Sequence, residues 1–481
     1  MIEHVSAIWP YVASTLAFLV ALLASGHVIL YKRDSHAAVA WVGVIWLLPV
    51  FGAVLYLMLG INRIRRRAKS IRRERRRPPS SGPVTAEIGV HNSSLSVDHY
   101  PDLVRLVDTI VRKPVVEGNS VFPLINGDEA YPAMIKAIGE AEDSVALSTY
   151  IFDRDDAGES FLRALSDAVS RGVEVRVLID AVGLRYSWPS MDHSLRRSGI
   201  KVAPFLPTVL PWRMPFMNLR NHRKILVIDG RKGFTGGMNI RSGHVIDSCP
   251  RHPVQDMHFY VEGPVVNHFQ DVFAQDWYFA TGELLKGKIW FPSIKACGNV
   301  AARGIPDGPD EDFEKLLWTI QGALACSKSA VRIMTPYFLP DPDLTRALGL
   351  AAMRGVTVDI ILPSVNNLPF VQWASRASFA QLIEEGCRIW LSPPPFEHTK
   401  LMIVDGLWAL FGSGNWDPRS LMLNFEFNVE SYSRELVSSL TTRIIEPKIA
   451  RSERVTLDAV NGRILAVKLR DGVARLFSPY L

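Results

Sequence analysis

Two stretches near the N-terminus carry no charged residue, Val5 to Tyr31 and Ala37 to Asn62. Each reaches the roughly 20 residues that a helix needs to cross a bilayer. Only Tyr31-Lys32-Arg33-Asp34-Ser35-His36 joins them, so the pattern predicts a two-helix transmembrane hairpin over 1–62. Trp9, Tyr11, Trp41 and Tyr56 stand near the ends of the runs, where interfacial aromatics collect. Pro49 predicts a kink in the second helix, which membrane helices tolerate. Glu3 and His4 stand where a cleaved signal peptide carries Lys or Arg, so the first run is expected to remain as an anchor.

After Pro78-Pro79-Ser80-Ser81-Gly82-Pro83, a linker by composition, the pattern changes. Short β-branched runs now alternate with helical segments such as Gly127–Ala141 and Glu159–Arg171, and the pattern occurs twice. AVSRGVEVRVLID at Ala168–Asp180 returns as AAMRGVTVDIILP at Ala351–Pro363. NHRKILVIDGRKGFTGGMN at Asn221–Asn239 returns as EHTKLMIVDGLWALFGSGN at Glu397–Asn415. A period this long excludes a solenoid and points to duplication of one α/β domain. The expected division is an anchor over 1–62, a basic and Pro/Ser-rich linker over 63–115, and α/β sandwich domains over 116–298 and 299–481.

Composition adds two limits. With 48% hydrophobic and 21% charged residues the chain is not disordered. Cys249, Cys297, Cys326 and Cys387 form no CxxC pair, which argues against a disulfide framework or structural zinc. Charge is placed unevenly. Residues 63–77 hold ten Arg or Lys and one Glu, and subtracting that +9 from the chain's +6 leaves −3 elsewhere. No nucleic-acid partner is therefore expected. The basic cluster directly follows the second apolar run, which sets that end in the cytoplasm. Two spans would return the N-terminus to the same side, against the weaker pull of Lys32 and Arg33. The cluster would also attract anionic headgroups, by roughly 1 kcal/mol per basic residue.

The chemistry lies in the repeat. Each copy has His-x-Lys, four residues and Asp: His222, Lys224, Asp229 and His398, Lys400, Asp405. Each continues to a small-residue turn ending in Asn239 or Asn415. Spacing i, i+2 in an extended segment puts the imidazole and the ammonium on one face. The glycine turn lets backbone approach closely and presents the Asn beside them. Lys224, Lys400, Asn239 and Asn415 together would make a phosphate site without metal. One His would attack phosphorus while the other protonates the leaving alcohol and then activates the acceptor. Asp229 and Asp405 each end a strand before Gly, so a place in the turn is expected of them rather than proton transfer. Asp256 and Glu426 follow the Asn turns and are the expected orienters of the two imidazoles. His244, Cys249 and His252 match no metal-ligand spacing, and neither metal nor cofactor is expected.

At these residues the chain resembles the phospholipase D superfamily, and within it the bacterial cardiolipin synthases. The narrower signals are the anchor AVAWVGVIWLLPVFGAVLYLMLG, LSTYIFDRDDAG, Asp276-Trp277, DPRSLMLNFEFNVE and the terminal ARLFSPYL. Ser148 departs from the pattern, standing where relatives often carry an acid, as does the run Ile240–Pro253. The resemblance implies two phospholipase D-like α/β sandwich domains related by a pseudo-twofold axis. It implies condensation of two phosphatidylglycerols to cardiolipin and glycerol through a phosphohistidine. His222, Lys224, Asp229, His398, Lys400 and Asp405 would then be the motif set, His222 the nucleophile and His398 the acid/base. It also implies an anionic phospholipid partner and an inner-membrane protein with a cytoplasmic body. A phosphodiesterase using water, or an inactive membrane scaffold, is the alternative.

Overall fold

The computed structural model describes residues 2–32, 35–57, 99–207, 219–310 and 312–478. Most of the expected linker over 63–115 lies outside these residues. The chain separates into two compact units, Met1–Ala68 and Lys69–Leu481.

In the first unit one helix, Ile2–Tyr31, contains a 23-residue apolar segment, Trp9–Tyr31, long enough to span a bilayer. The second run does not form an equivalent helix. It breaks at Leu48, whose backbone (φ −137°, ψ 74°) is not helical, into Ser35–Leu47 and Pro49–Leu55. The 13-residue piece reaches only about 20 Å, short of a hydrocarbon core of about 30 Å. The chain then turns back on itself. The Tyr56 ring lies 5.5 Å from Trp41, and Tyr56 Oη is 2.8 Å from His27 Nδ1. A straight helix would separate residues 41 and 56 by about 22 Å. Gly52 makes the fold-back possible: a Cβ there would fall 2.4 Å from the Val44 carbonyl oxygen. The expected kink at Pro49 is thus a reversal, and among the described residues only the first run has the length of a full span.

The second unit is built on one mixed sheet of 15 strands. At its centre Val116–Ile125 and Val300–Asp307 pair antiparallel. Outward on one side follow Met257–Glu262, Lys232–Gly236, Ile225–Ile228, Ser144–Thr149, Glu174–Asp180 and Lys201–Phe205. On the other follow Glu426–Tyr432, Trp408–Gly412, Leu401–Val404, Ala330–Met334, Thr357–Pro363, Arg388–Ser392 and a short edge strand, Glu453–Arg454. Up to that edge strand the two lists match in order, repeat for repeat. The last three strands before that edge in each list run parallel, and the remaining pairs, the short edge strand included, are antiparallel.

The helices expected over Gly127–Ala141 and Glu159–Arg171 are Asn126–Gly139 and Asp156–Ser170. Asp155 caps the second by accepting from the Gly158 N–H, and Asp341 caps Pro342–Met353 by accepting from Leu344 N–H at 2.7 Å. Each repeat packs helices on its half of the sheet over a core of its own. A third core joins the repeats, with Phe259 stacked on Phe411 at 3.8 Å and Phe269 against Phe427 at 4.8 Å. The repeats therefore share buried apolar surface.

Candidate active site

His222 and Lys224 lie in the extended lead-in to Ile225–Ile228, and His398 and Lys400 in that to Leu401–Val404. Each lead-in is held by the backbone of the other repeat. Asn221 bridges to Phe425, and the His222 N–H donates to the Phe425 carbonyl at 2.9 Å. Phe396–Glu397 pairs with Val254–Gln255, and the His398 N–H donates to the Gln255 carbonyl at 2.7 Å.

The side chains cross in the same sense. His222 Nδ1 is 3.1 Å from Glu426 Oε2, and His398 Nδ1 is 2.7 Å from Asp256 Oδ2. Glu426 also accepts from Ser413 Oγ at 2.5 Å and Asn424 Nδ2 at 3.2 Å. Asp256 accepts from the Met257 N–H at 2.7 Å. With Nδ1 engaged, the His222 ring keeps Nε2 for substrate, whereas Nε2 of His398 also meets Lys400 Nζ. Lys224 Nζ donates to the His222 carbonyl at 2.7 Å, and Lys400 Nζ lies 2.9 and 3.1 Å from the two ring nitrogens of His398.

Burial dominates the electrostatics. It pushes Lys224 down to about 7 and Lys400 to about 8, opposed by the nearby Glu426 and Asp256 carboxylates. It also lowers both imidazoles, His398 well below the ordinary value with Lys400 and Lys224 adding to the effect. Burial raises Asp256. On Glu426 burial pulls upward too, but His222, Lys224 and Ser413 outweigh it and leave the carboxyl below its usual range.

The glycine turns that follow the hairpins repeat the logic. Gly236 and Gly412 have φ of 154° and 155°, and a Cβ on either would fall within 2.5 Å of a carbonyl oxygen, of Met257 or Phe427. Asn239 Oδ1 accepts from the Ile151 N–H at 3.2 Å, whereas Asn415 Nδ2 donates to Ser420 Oγ at 3.1 Å. The two amides are thus not equivalent. Asp229 and Asp405 stand at the far ends of their strands, five residues and about 16 Å along the chain from the Lys. Both adopt left-handed φ, 51° and 49°. Asp229 accepts from the N–H groups of Glu142, Asp143 and Ser144. Asp405 accepts from those of Lys328, Ser329 and Ala330 and from Tyr100 Oη. They belong to the motif set, but in this geometry they tie the turn to the start of a neighbouring strand.

Comparison with known proteins follows the same two segments. The family described as cardiolipin synthase, PLD-like domain, matches residues 134–277 and 320–446, one His-x-Lys set in each. The chain belongs to this family. The phospholipase D-nuclease N-terminal family matches residues 19–60. A cardiolipin synthase of Geobacillus kaustophilus is 31% identical over 94% of this chain and 90% of its own. One of Listeria monocytogenes is 29% identical over 98% and 99%. The crystal structure of phosphatidylserine synthase from Haemophilus influenzae superposes with a TM-score of 0.61 at 14% identity, covering 79% of this chain and all of that one. That likeness concerns the fold.

Around the cardiolipin synthase family motif stand residues that spacing alone did not single out. Arg220 is buried two residues before His222, where the second repeat has Phe396 two residues before His398. Alignment of the repeats would have exposed this asymmetry. Buried Arg223 donates to both carboxylate oxygens of Asp276 at 2.7 Å and to the Glu426 carbonyl at 3.0 Å, which gives the Asp276-Trp277 signature a physical role. Tyr150 lies 5.2 Å from the His222 ring and Tyr337 lies 6.2 Å from that of His398. In the divergent run after Asn239, His244 is buried with its ring 6.4 Å from His398, while Cys249 and His252 are exposed.

Proposed function

We propose that the protein transfers a phosphatidyl group from one phosphatidylglycerol to another, giving cardiolipin and glycerol. The crossed pairing of two histidines with two carboxylates, with a lysine beside each, carries this reading. Nε2 of His222 attacks phosphorus as the bond to the glycerol oxygen breaks, and His398 delivers the proton to that oxygen. The terminal hydroxyl of a second phosphatidylglycerol then gives its proton to His398 and attacks the phosphohistidine, breaking the P–N bond. Lys224, Lys400 and the Asn239 amide stabilise the phosphoryl oxygens, and Asn415 joins them on exchanging Ser420 for substrate. The matching strand order supports a pseudo-twofold axis relating domains over 116–298 and 299–481. No step of this route calls on a metal, because lysine supplies the cation.

The test is chromatography of labelled phosphatidylglycerol after incubation with detergent-purified protein. Labelled cardiolipin with an equivalent of glycerol supports the reading. Phosphatidic acid alone would mean water is the acceptor, and unchanged lipid would leave an inactive scaffold.

The reversal at Leu48 changes the topology that two spans would give. We read the anchor as one span, Trp9–Tyr31, followed by a re-entrant helix pair, a form tolerated where the bend is packed in protein. Residue 57 then leaves on the side of Lys32 and Arg33. These two basics and the 63–77 cluster share the cytoplasmic side, which removes the conflict in the positive-inside count. The N-terminus lies on the other side. A membrane-impermeant thiol reagent on intact cells should label a Ser6→Cys variant and spare Ser81→Cys. The reverse, or equal protection of both, would reject this topology.

A further inference from the structure

The helix Leu465–Leu476 buries one face and leaves an apolar face bare. Inward, Ala474 joins Leu339, Val371 and Ala374 in a small core, with Tyr337 and Trp373 packed against it. Asp471 is also buried, accepting from Arg463 and Arg470. Outward, Leu465, Leu469, Val473 and Leu476 are 71%, 60%, 53% and 75% exposed. Their spacing of four, four and three residues draws one stripe along the helix. Phe477 extends it to Phe370 on the neighbouring helix Pro369–Arg376, ring to ring at 5.8 Å.

Single exposed leucines need no explanation, but a continuous stripe marks an interaction surface. Its charges say which kind. Lys468 and Arg475 are exposed on the same helix, whereas Asp471, the single acid between Asn461 and Phe477, is buried. The outward face thus offers apolar groups and cations without an exposed acid. That combination matches the interface of an anionic bilayer, where apolar side chains enter the acyl boundary and lysine or arginine meets headgroups.

We propose that Leu465–Leu476 lies in the surface of an anionic bilayer and seats the site against the lipid that feeds it. The proposal rests on the phosphatidyl-transfer reading, which puts the substrate in that bilayer. The route from surface to site is short. Tyr337 touches the core that holds Ala474 and stands beside the His398 ring, so one layer of side chains separates the helix from the chemistry.

The test uses the full-length protein in nanodiscs containing phosphatidylglycerol or phosphatidylcholine alone. Backbone hydrogen exchange over 465–477 should be at least tenfold slower in the anionic discs. The double variant Leu469→Glu, Leu476→Glu should lose that protection. It should also make cardiolipin from bilayer phosphatidylglycerol about tenfold more slowly or worse. Turnover of monomeric short-chain phosphatidylglycerol should stay at the wild-type rate. Equal exchange in the two discs, a variant as active as wild type on bilayers, or equal loss on both substrates would each overturn the proposal. So would protection that appears only when two copies share a disc, since the occupant would then be a second chain. Wild-type protein inactive on both substrates would count against the transfer reading, while exchange still decides the fate of the helix.

Discussion

Glu426 belongs to the second repeat, yet its carboxylate lies 3.1 Å from the ring of His222 in the first, 204 residues earlier. Asp256 reaches the opposite way to His398. Neither imidazole is completed by its own repeat.

Removing the charge of either carboxylate should therefore disable a histidine that is far away in sequence. Glu426→Gln is expected to lower kcat by about 10²-fold or more, with KM for phosphatidylglycerol held within about threefold. Ser413→Ala, which strips a second donor from Glu426, should cost less, about tenfold. Steady-state kinetics in mixed micelles decide it. A Glu426→Gln enzyme at wild-type rate would show that the contact is only structural.

The roles of the two histidines can be separated by trapping. Quenching with labelled phosphatidylglycerol should leave acid-labile label on the wild-type protein and some on His398→Ala. His222→Ala should hold none. The opposite pattern would exchange the roles of the two histidines, and an unlabelled wild type under rapid quenching would argue against a covalent route.

The lysines predict the basic limb of the pH profile. Burial holds Lys224 near 7 and Lys400 near 8, so each is a cation only below those values. Capture of a phosphodiester should weaken as pH rises through 7 to 8, seen as a falling kcat/KM, which reports the free enzyme. Lys224→Arg keeps its charge throughout and should carry that limb to higher pH. An unmoved limb would assign it to another group.

Asp229 and Asp405 should behave as fold residues. Asp229→Ala leaves three backbone N–H groups without their acceptor. It should lower stability by about 1–3 kcal/mol while activity per folded molecule stays within about threefold. Thermal unfolding and active-site titration measure the two quantities. A large loss in kcat with an unchanged melting point would return the residue to the chemistry.

Chelation gives the last check. EDTA should leave turnover unchanged, because the proposed route meets the charge on the phosphoryl oxygens with Lys224 and Lys400. Loss of activity restored only by a divalent ion would contradict this.

Much of the site was legible in the sequence because its signals are local. His-x-Lys spacing sets two side chains on one face whatever the rest of the chain does. Asp followed by Gly can hold left-handed backbone, and both Asp-Gly pairs do so here. The first apolar run reads as a spanning helix because length and composition are enough to define one. Asp256 and Glu426 could be picked out as acids after an Asn turn, but which histidine each would meet had no local signal.

Other features were decided by tertiary structure alone. The crossing of Glu426 to His222 and Asp256 to His398 depends on how two repeats share one sheet and one core, a relation among residues 142 to 204 positions apart. The asymmetry of the Asn amides depends on Ser420 standing within reach of Asn415. In the anchor, hydropathy counts apolar residues and Pro49 announces a bend, but neither sets its angle. The reversal comes from packing, as Gly52 meets Val44 and Tyr56 closes on His27 and Trp41. Local pattern fixes which face a side chain shares with its near neighbours. Only the folded chain determines which distant residues will be opposite it, because that choice is made by buried surface contributed from elsewhere in the sequence.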